Sequence, residues 1–234
     1  LVPPPTRLGR AVLARWLLEP ATPDEIRARQ AAVAELAPDV DLREDLGCLG
    51  EDVATDLDAE VLLAWAAAEP VAFAAFERVL ARVLGVIAAA ATVGWLIDLL
   101  PGSAVLLVAV ISAGPAGLAA ARVFEVARRS EAVTGAPRAL GRVLRPLESR
   151  EPSCERLVAL RARMAVGEWP PSEALERLDT RAESLVSSLR GSVHALVAYL
   201  YGRHVPLAHA VEQQRQALAE RVPGWGEVAG ELQA

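Results

Sequence analysis

Lysine is absent from this 234-residue chain, and all 24 of its basic side chains are arginine. A phosphate loop of the G-x-x-x-x-G-K-S/T kind is therefore excluded within it, because that loop needs its lysine at the nucleotide phosphates. Aromatic residues are also scarce, at 4% against 53% hydrophobic residues overall. Sheet cores draw on aromatic and β-branched side chains, whereas a mixture dominated by Ala, Leu and Val favours helices packed on helices. No strand-like alternation interrupts the chain. The fold class expected is all-α, a bundle of long helices carrying one apolar two-helix hairpin.

Other shortages exclude chemistry. The two cysteines, Cys48 and Cys154, lie far apart without metal-type spacing and read as small buried or half-buried apolar residues. The three histidines, His194, His204 and His209, fall in the last segment. His204 and His209 are five apart, a poor spacing for two metal ligands on one helical face, so they read as packed or surface residues. Neither G-x-S-x-G nor H-E-x-x-H occurs. Glu51, Asp52, Asp56 and Asp58 cluster at a turn, where capping and solvation account for them. No catalytic, cofactor-binding or metal site is expected, and no reaction. A net charge of −6 and a pI near 5.2 argue against coating nucleic acid by bulk charge, although a local arginine face at 122–150 leaves lipid or DNA phosphates as partners to consider. The start, "LVPPPTRLGR", lacks the apolar core of a signal peptide and, without an initiating Met, reads as a chain entered part-way.

What the chain does have is punctuation. Thr6 is placed to cap a helix ending before Pro20, with Leu8, Val12, Leu13, Trp16 and Leu17 at helical spacing. "TPDE" then supplies Thr22 as cap, Pro23 at the first helical position and Glu25 to complete a capping box. The second helix carries Ile26, Val33 and Leu36 and stops before Pro38, so two short helices meet at a fixed corner. Further helices are expected at 41–50 and 57–70, capped by Asp41 and Asp58. Ser153 is expected to cap another, Ser172 opens a long one after Pro170 and Pro171, and a final pattern over 192–221 is interrupted by Pro206.

Between 83 and 121 the only ionisable side chain is Asp98. Two apolar arms of about 18 to 19 residues, near the ~20 that cross a bilayer, flank the turn signal Pro101-Gly102. Arg78 and Arg82 precede the first arm; Arg122, Arg128 and Arg129 follow the second, and the turn has no basic residue. That is the pattern of a two-span hairpin with both chain ends in the cytoplasm, with Asp98 near the far interface. A helical hairpin buried in a soluble core or between protomers remains the alternative. The chain divides on this reading into 1–78, the start of a helical core with its two-helix corner, 79–125, the hairpin, and 126–234, a long-helix part of the same core, and a basic helical segment leads away from the hairpin.

The corner also carries a resemblance. Thr6, Gly9, Arg10, Leu13, Trp16, Leu17, Pro20, Ile26, Arg29, Val33 and Leu36 stand in the order and spacing that resemble the start of the helical core of MutS-family proteins. The remainder, "DLREDLGCLG", the apolar hairpin and the long terminal helix before "WGEVAGEL", is similar to a bacterial MutS-related branch with two membrane spans inserted in that core. The resemblance implies a lever joining a DNA-contacting part to an ATPase domain. The mismatch-reading domain with its Phe-x-Glu motif and the ATPase with its Walker motifs are absent from this chain, and the clamp tips that hold DNA are replaced by the hairpin. The intact protein is thus expected to bind ATP and Mg, to dimerise with a second copy of itself largely through the missing ATPase domain, to attach by two spans to the bacterial inner membrane through its lipids, and to have duplex DNA as a further candidate partner. Arg7, Arg10 and Arg29 are candidates for structural or interdomain contacts. A soluble helical interaction or DNA-binding module, its hairpin packed on a partner protein, is the rival.

Overall fold

A computed structural model of the chain describes residues 4, 6–40, 42, 59–165, 169–190 and 203–234. Among them are ten helices and no strand, so the chain is all-α as its composition predicts: α1 (Arg7–Leu18), α2 (Pro23–Leu36), α3 (Ala59–Ala67), α4 (Ala75–Leu96), α5 (Gly102–Glu131), α6 (Ala136–Glu148), α7 (Glu155–Met164), α8 (Pro171–Arg190), α9 (His204–Ala219) and α10 (Val222–Gln233). The expected helix at 41–50, the acidic turn at 51–58, Cys48 and His194 lie outside the described residues.

The opening corner forms where its local signals place it. Thr6 Oγ1 accepts from the Gly9 N–H at 3.2 Å, and Thr22 Oγ1 accepts from the Glu25 N–H at 3.3 Å. Each hydroxyl satisfies one of the N–H groups that a helix start leaves unpaired. The reciprocal half of the capping box does not form, because the Glu25 carboxylate turns to Arg29 and Arg156 instead. A guanidinium offers the carboxylate a full opposite charge and several donors in one planar fork, which a single backbone N–H does not. Ser153 likewise does not cap α7. Cys154 holds that position, and Glu35 of α2 accepts from the Ser153 N–H at 2.8 Å, the Ser153 hydroxyl at 3.0 Å and the Cys154 N–H at 2.6 Å. A carboxylate from another helix suits the positive end of the helix dipole better than a local hydroxyl.

Two compact units emerge. One gathers Leu1–Ala67, Val133–Asp179 and Leu218–Ala234; the other gathers Ala68–Ala132 and Thr180–Ala217. They are interleaved along the chain, because apolar stripes far apart in sequence bury one another. In the first unit α6 supplies the stripe, burying Ala136, Leu140, Val143, Leu144 and Leu147 at helical spacing. Gly135, at φ 84°, starts α6 afresh and splits the basic segment expected to continue from α5. Trp225 and Val228 of α10 and Leu157 and Leu160 of α7 are buried in the same unit.

The first and last described helices pack against each other through glycine. A Cβ on Gly9 would lie 2.7 Å from Pro4 Cβ and 2.9 Å from Gln233 Cβ, and one on Gly230 would lie 2.9 Å from Val12 Cγ2 and 3.2 Å from the Leu8 carbonyl oxygen. The Thr6 hydroxyl also donates to Gln233 Oε1.

In the second unit α4 and α5 form the hairpin. Asp98 takes the left-handed conformation, φ 57°, and the N–H groups of Leu99 and Leu100 both reach the Gly94 carbonyl, at 2.8 and 3.0 Å. This is a helix-ending turn of the kind glycine usually provides. Pro101 caps α5 and Gly102 opens it beside the Trp95 indole. Ala81, Ala88, Ala91 and Gly94 are the buried residues of α4. α4 is long and apolar enough to cross a membrane, and only 28% of its most apolar stretch is buried. The second arm departs from the straight span expected. Pro115 lies inside α5, and its segments Gly102–Ser112 and Gly117–Glu131 are inclined by 68°. Proline lacks an N–H and its ring crowds the carbonyl four residues back, which bends a helix there. Pro206, by contrast, sits in the first turn of α9, where its missing N–H costs nothing; the part of the expected pattern at 192–202 lies outside the described residues.

The glycine contacts generate a prediction. Gly9→Ala and Gly230→Ala should each cost about 1–3 kcal/mol by overpacking, read as a lowered midpoint in denaturant unfolding. Gly224→Ala, with open space around the new methyl, should be neutral or stabilising by up to ~1 kcal/mol.

Candidate functional site

At the corner, Trp16 faces two guanidinium groups. Arg29 lies 4.2 Å from its ring centroid and Arg156 lies 5.6 Å away. The indole face is the negative end of the ring quadrupole and attracts both. The cations are held there by carboxylates. Arg29 donates to Glu25 through Nε at 3.1 Å and through its terminal nitrogen at 3.0 Å, and Arg156 donates to Glu25 at 2.9 Å and to Glu231 at 2.7 Å. Arg163 adds bonds to Glu227 at 2.5 Å and Glu231 at 3.3 Å. The bonds of Arg29, and after them those of Arg156, hold the Glu25 carboxyl below the usual carboxylate range. Helices α1, α2, α7 and α10 are thereby joined at one point, beside a cavity of about 370 Å³ lined in part by Arg15, Trp16 and Glu19.

The residues of the opening pattern fall into two groups. Thr6 caps, Gly9 packs, Arg10 donates to the Pro4 carbonyl at 3.4 Å, Trp16 and Arg29 build the cation–aromatic stack, and Leu13 and Leu36 are half-buried. Pro20 stands in the exposed connection after α1. Leu17, Ile26 and Val33 face outward at 73%, 44% and 65% exposure, so these three are not used in this unit's core. The carboxylate partners Glu231 and Glu35 were not legible from sequence. They lie 75 and 118 residues from Arg156 and Ser153, and no local spacing signals them.

In the second unit the base of the hairpin is a second charged cluster. Glu77 reaches back to the Ala74 N–H at 2.9 Å and receives both terminal nitrogens of Arg122, at 2.9 and 2.5 Å. Arg122 also donates to the Ala72 carbonyl at 3.2 Å and lies 5.6 Å from the Phe73 ring centroid. Arg78 approaches His209 Nε2 at 2.6 Å. A guanidinium only donates, so that nitrogen accepts and the ring is neutral. Phe73 meets the same imidazole edge-on, with centroids 6.1 Å apart. Glu212 accepts from the Val71 N–H at 2.9 Å, from Arg215 at 2.6 Å and from Gln216 at 3.1 Å, and the Glu212–Arg215 pair is almost fully buried. An acid and a base at i, i+3 were readable on the helix; their burial was not.

Six of the seven arginines between 122 and 150 are ion-paired, mostly with carboxylates from other parts of the chain. Within the second unit Arg122 pairs with Glu77, and Arg128 and Arg129 with Glu125; within the first, Arg138 pairs with Asp179, Arg145 with Glu176 and Arg150 with Asp39. Charges satisfied in this way make a poor phosphate-binding face. Asp98, Pro101 and Gly102 sit together at the hairpin turn, as their order in sequence implies. Among the described residues no group of three or more His, Cys, Asp or Glu is placed to hold a metal. No family model, curated protein or solved structure matches the chain.

Two predictions follow from these clusters. Arg156→Ala should cost on the order of 1–3 kcal/mol in chemical unfolding, because it leaves partly buried Glu25 and Glu231 without their shared cation; Arg27→Ala, at an exposed i, i+3 pair, should change stability by less than ~0.5 kcal/mol. The second concerns pH. Burial, then Arg78 and Arg82, depress the His209 pKa, with Glu212 opposing. The unfolded chain therefore binds this proton first as pH falls, so the stability tied to neutral His209 is full above about 6.5 and is lost on descent towards the folded value. Thermal unfolding between pH 7.5 and 5.5 should show a steeper loss in the wild type than in His209→Gln, which keeps an acceptor for Arg78 and does not titrate.

Proposed function

We propose that this chain is the helical connector of a MutS-related, DNA-repair-type ATPase, and that its apolar hairpin attaches it to a lipid bilayer. The observation that carries the connector reading is the joint in the first unit. α1 and α10 approach through paired glycines, and Arg156 staples them to α2 and α7 through Glu25 and Glu231. Such an arrangement fixes helix directions without presenting a reactive group, as a lever requires. The exposed apolar residues Leu17, Ile26 and Val33, which belong to the MutS-like pattern, are consistent with further protein packing on the corner.

On this reading ATP and Mg are bound by an ATPase domain outside the chain, which also brings two copies together, and the connector transmits the motion driven by hydrolysis. The ion-paired arginines argue against phosphate contact by this segment, with duplex DNA or with lipid headgroups, and the lipid reading rests on the hairpin instead. The membrane part is supported by the low burial of α4 and by the confinement of charge in the hairpin to its base, with Asp98 the exception.

Two measurements test the proposal. The reading frame past Ala234 should encode a G-x-x-x-x-G-K-S/T loop; a frame that closes without one contradicts the MutS relationship. The chain should resist extraction from membranes by high salt and carbonate. Recovery as a soluble, monodisperse species would instead favour a partner-protein role for the hairpin.

A further inference from the structure

We propose that the α4–α5 hairpin is re-entrant: it enters and leaves the bilayer through the same face, and its tip stops short of the opposite interface. The inference rests on the membrane reading above and specifies how deep the hairpin goes. Its feet are fixed together, because Glu77 of α4 and Arg122 of α5 are ion-paired and Arg122 also holds the Ala72 carbonyl. Both legs therefore start at one level.

The first turns of α4 belong to that polar base and not to the apolar leg. Glu77 is tied to Arg122 and Arg78 to His209, and Arg82 follows one turn later. Residues 75–82 give α4 the length to cross a membrane, yet they carry all the charge of the helix: Glu77 and Arg78 are tied to polar partners at the base, and Arg82 brings a third charge before the apolar leg begins. What remains free of charge on α4 is 83–96, about 21 Å at 1.5 Å per residue. The hydrocarbon core is about 30 Å thick.

The returning leg agrees. Gly102–Ser112 is straight for only about 16 Å, after which α5 turns by 68°. A leg bent so sharply near its middle does not run straight from one interface to the other. Its second segment exposes Leu118 and Phe124 while burying Ala119 and Val123, an amphipathic face suited to lying along the near interface. The tip itself offers Leu96, Ile97 and Leu99 at 68%, 66% and 74% exposure and no cation. An aqueous loop on the far side would present those three side chains to water. Held about 21 Å deep in a hydrocarbon core of about 30 Å, the tip with Asp98 lies past the bilayer centre, where a charge costs most, and short of the far interface.

The test is side-specific labelling in sealed membrane vesicles of both orientations. The full chain carries Cys48→Ser and Cys154→Ser, with one new cysteine from Leu99→Cys or, independently, Ile97→Cys, and is probed with a membrane-impermeant maleimide. Arg128→Cys, near the feet, reports which face they occupy. Tip cysteines should stay unlabelled in both orientations and react only after detergent, since a thiol in hydrocarbon forms little thiolate. Labelling from the face opposite Arg128→Cys overturns re-entry in favour of two complete spans and leaves membrane attachment intact. Labelling from the same face as Arg128→Cys in intact vesicles places the tip in water and overturns membrane insertion along with depth.

Discussion

One guanidinium organises the first unit. Arg156 sits at the meeting point of four helices, with Glu25 on one side, Glu231 on the other and the Trp16 ring within cation–π reach. Its side chain is 19% exposed and that of Glu231 is 14% exposed, so the pair is screened far less than an ordinary surface contact. The geometry matters as much as the energy. A guanidinium carries several donors in a rigid planar fork, and here that fork fixes two carboxylates from helices distant in sequence. The glycines at the α1–α10 contact do the complementary work of bringing backbones close, so polar staple and close approach set the same helix directions.

The second unit solves a different problem with similar parts. Its hairpin is held internally by small residues and exposes large ones, which leaves no strong internal force to aim it. Direction comes from the base, where Glu77–Arg122, Arg78–His209 and the buried Glu212–Arg215 pair gather the charge. A buried ion pair contributes little net stability against an apolar substitute. Its value here lies in positioning: Glu212 also accepts the Val71 N–H, which ties the segment entering α4 to α9. Polar base and apolar arm are thus separate along the chain, and that separation gives the hairpin its physical character.

The sequence made the local features readable and hid the distant ones. Thr6, Thr22 and Pro23 were placed correctly because a cap is decided within four residues. The all-α class followed from composition for the same reason, since helix propensity is a local quantity. Glu25 shows the limit. Its spacing from Thr22 completed a capping box, but Arg156, 131 residues away, offered a stronger partner. Glu35 displaced Ser153 at the start of α7 by the same logic. Pro115 stands in the sequence of the second arm, but how far it bends the helix is not readable there, because that depends on what the two segments pack against. The outward-facing Leu17, Ile26 and Val33 could not be told from core residues by their spacing alone.

The central claim is that the corner and the closing helix form one mechanical piece. Native-state amide hydrogen exchange tests it most directly, because it measures the opening free energy of each helix separately. If the account is right, the interior amides of α1, α2, α7 and α10 open together with a common free energy and share one dependence on denaturant. Exchange of α1 and α2 by a separate, low-energy opening, while α7 and α10 stay protected, would contradict it.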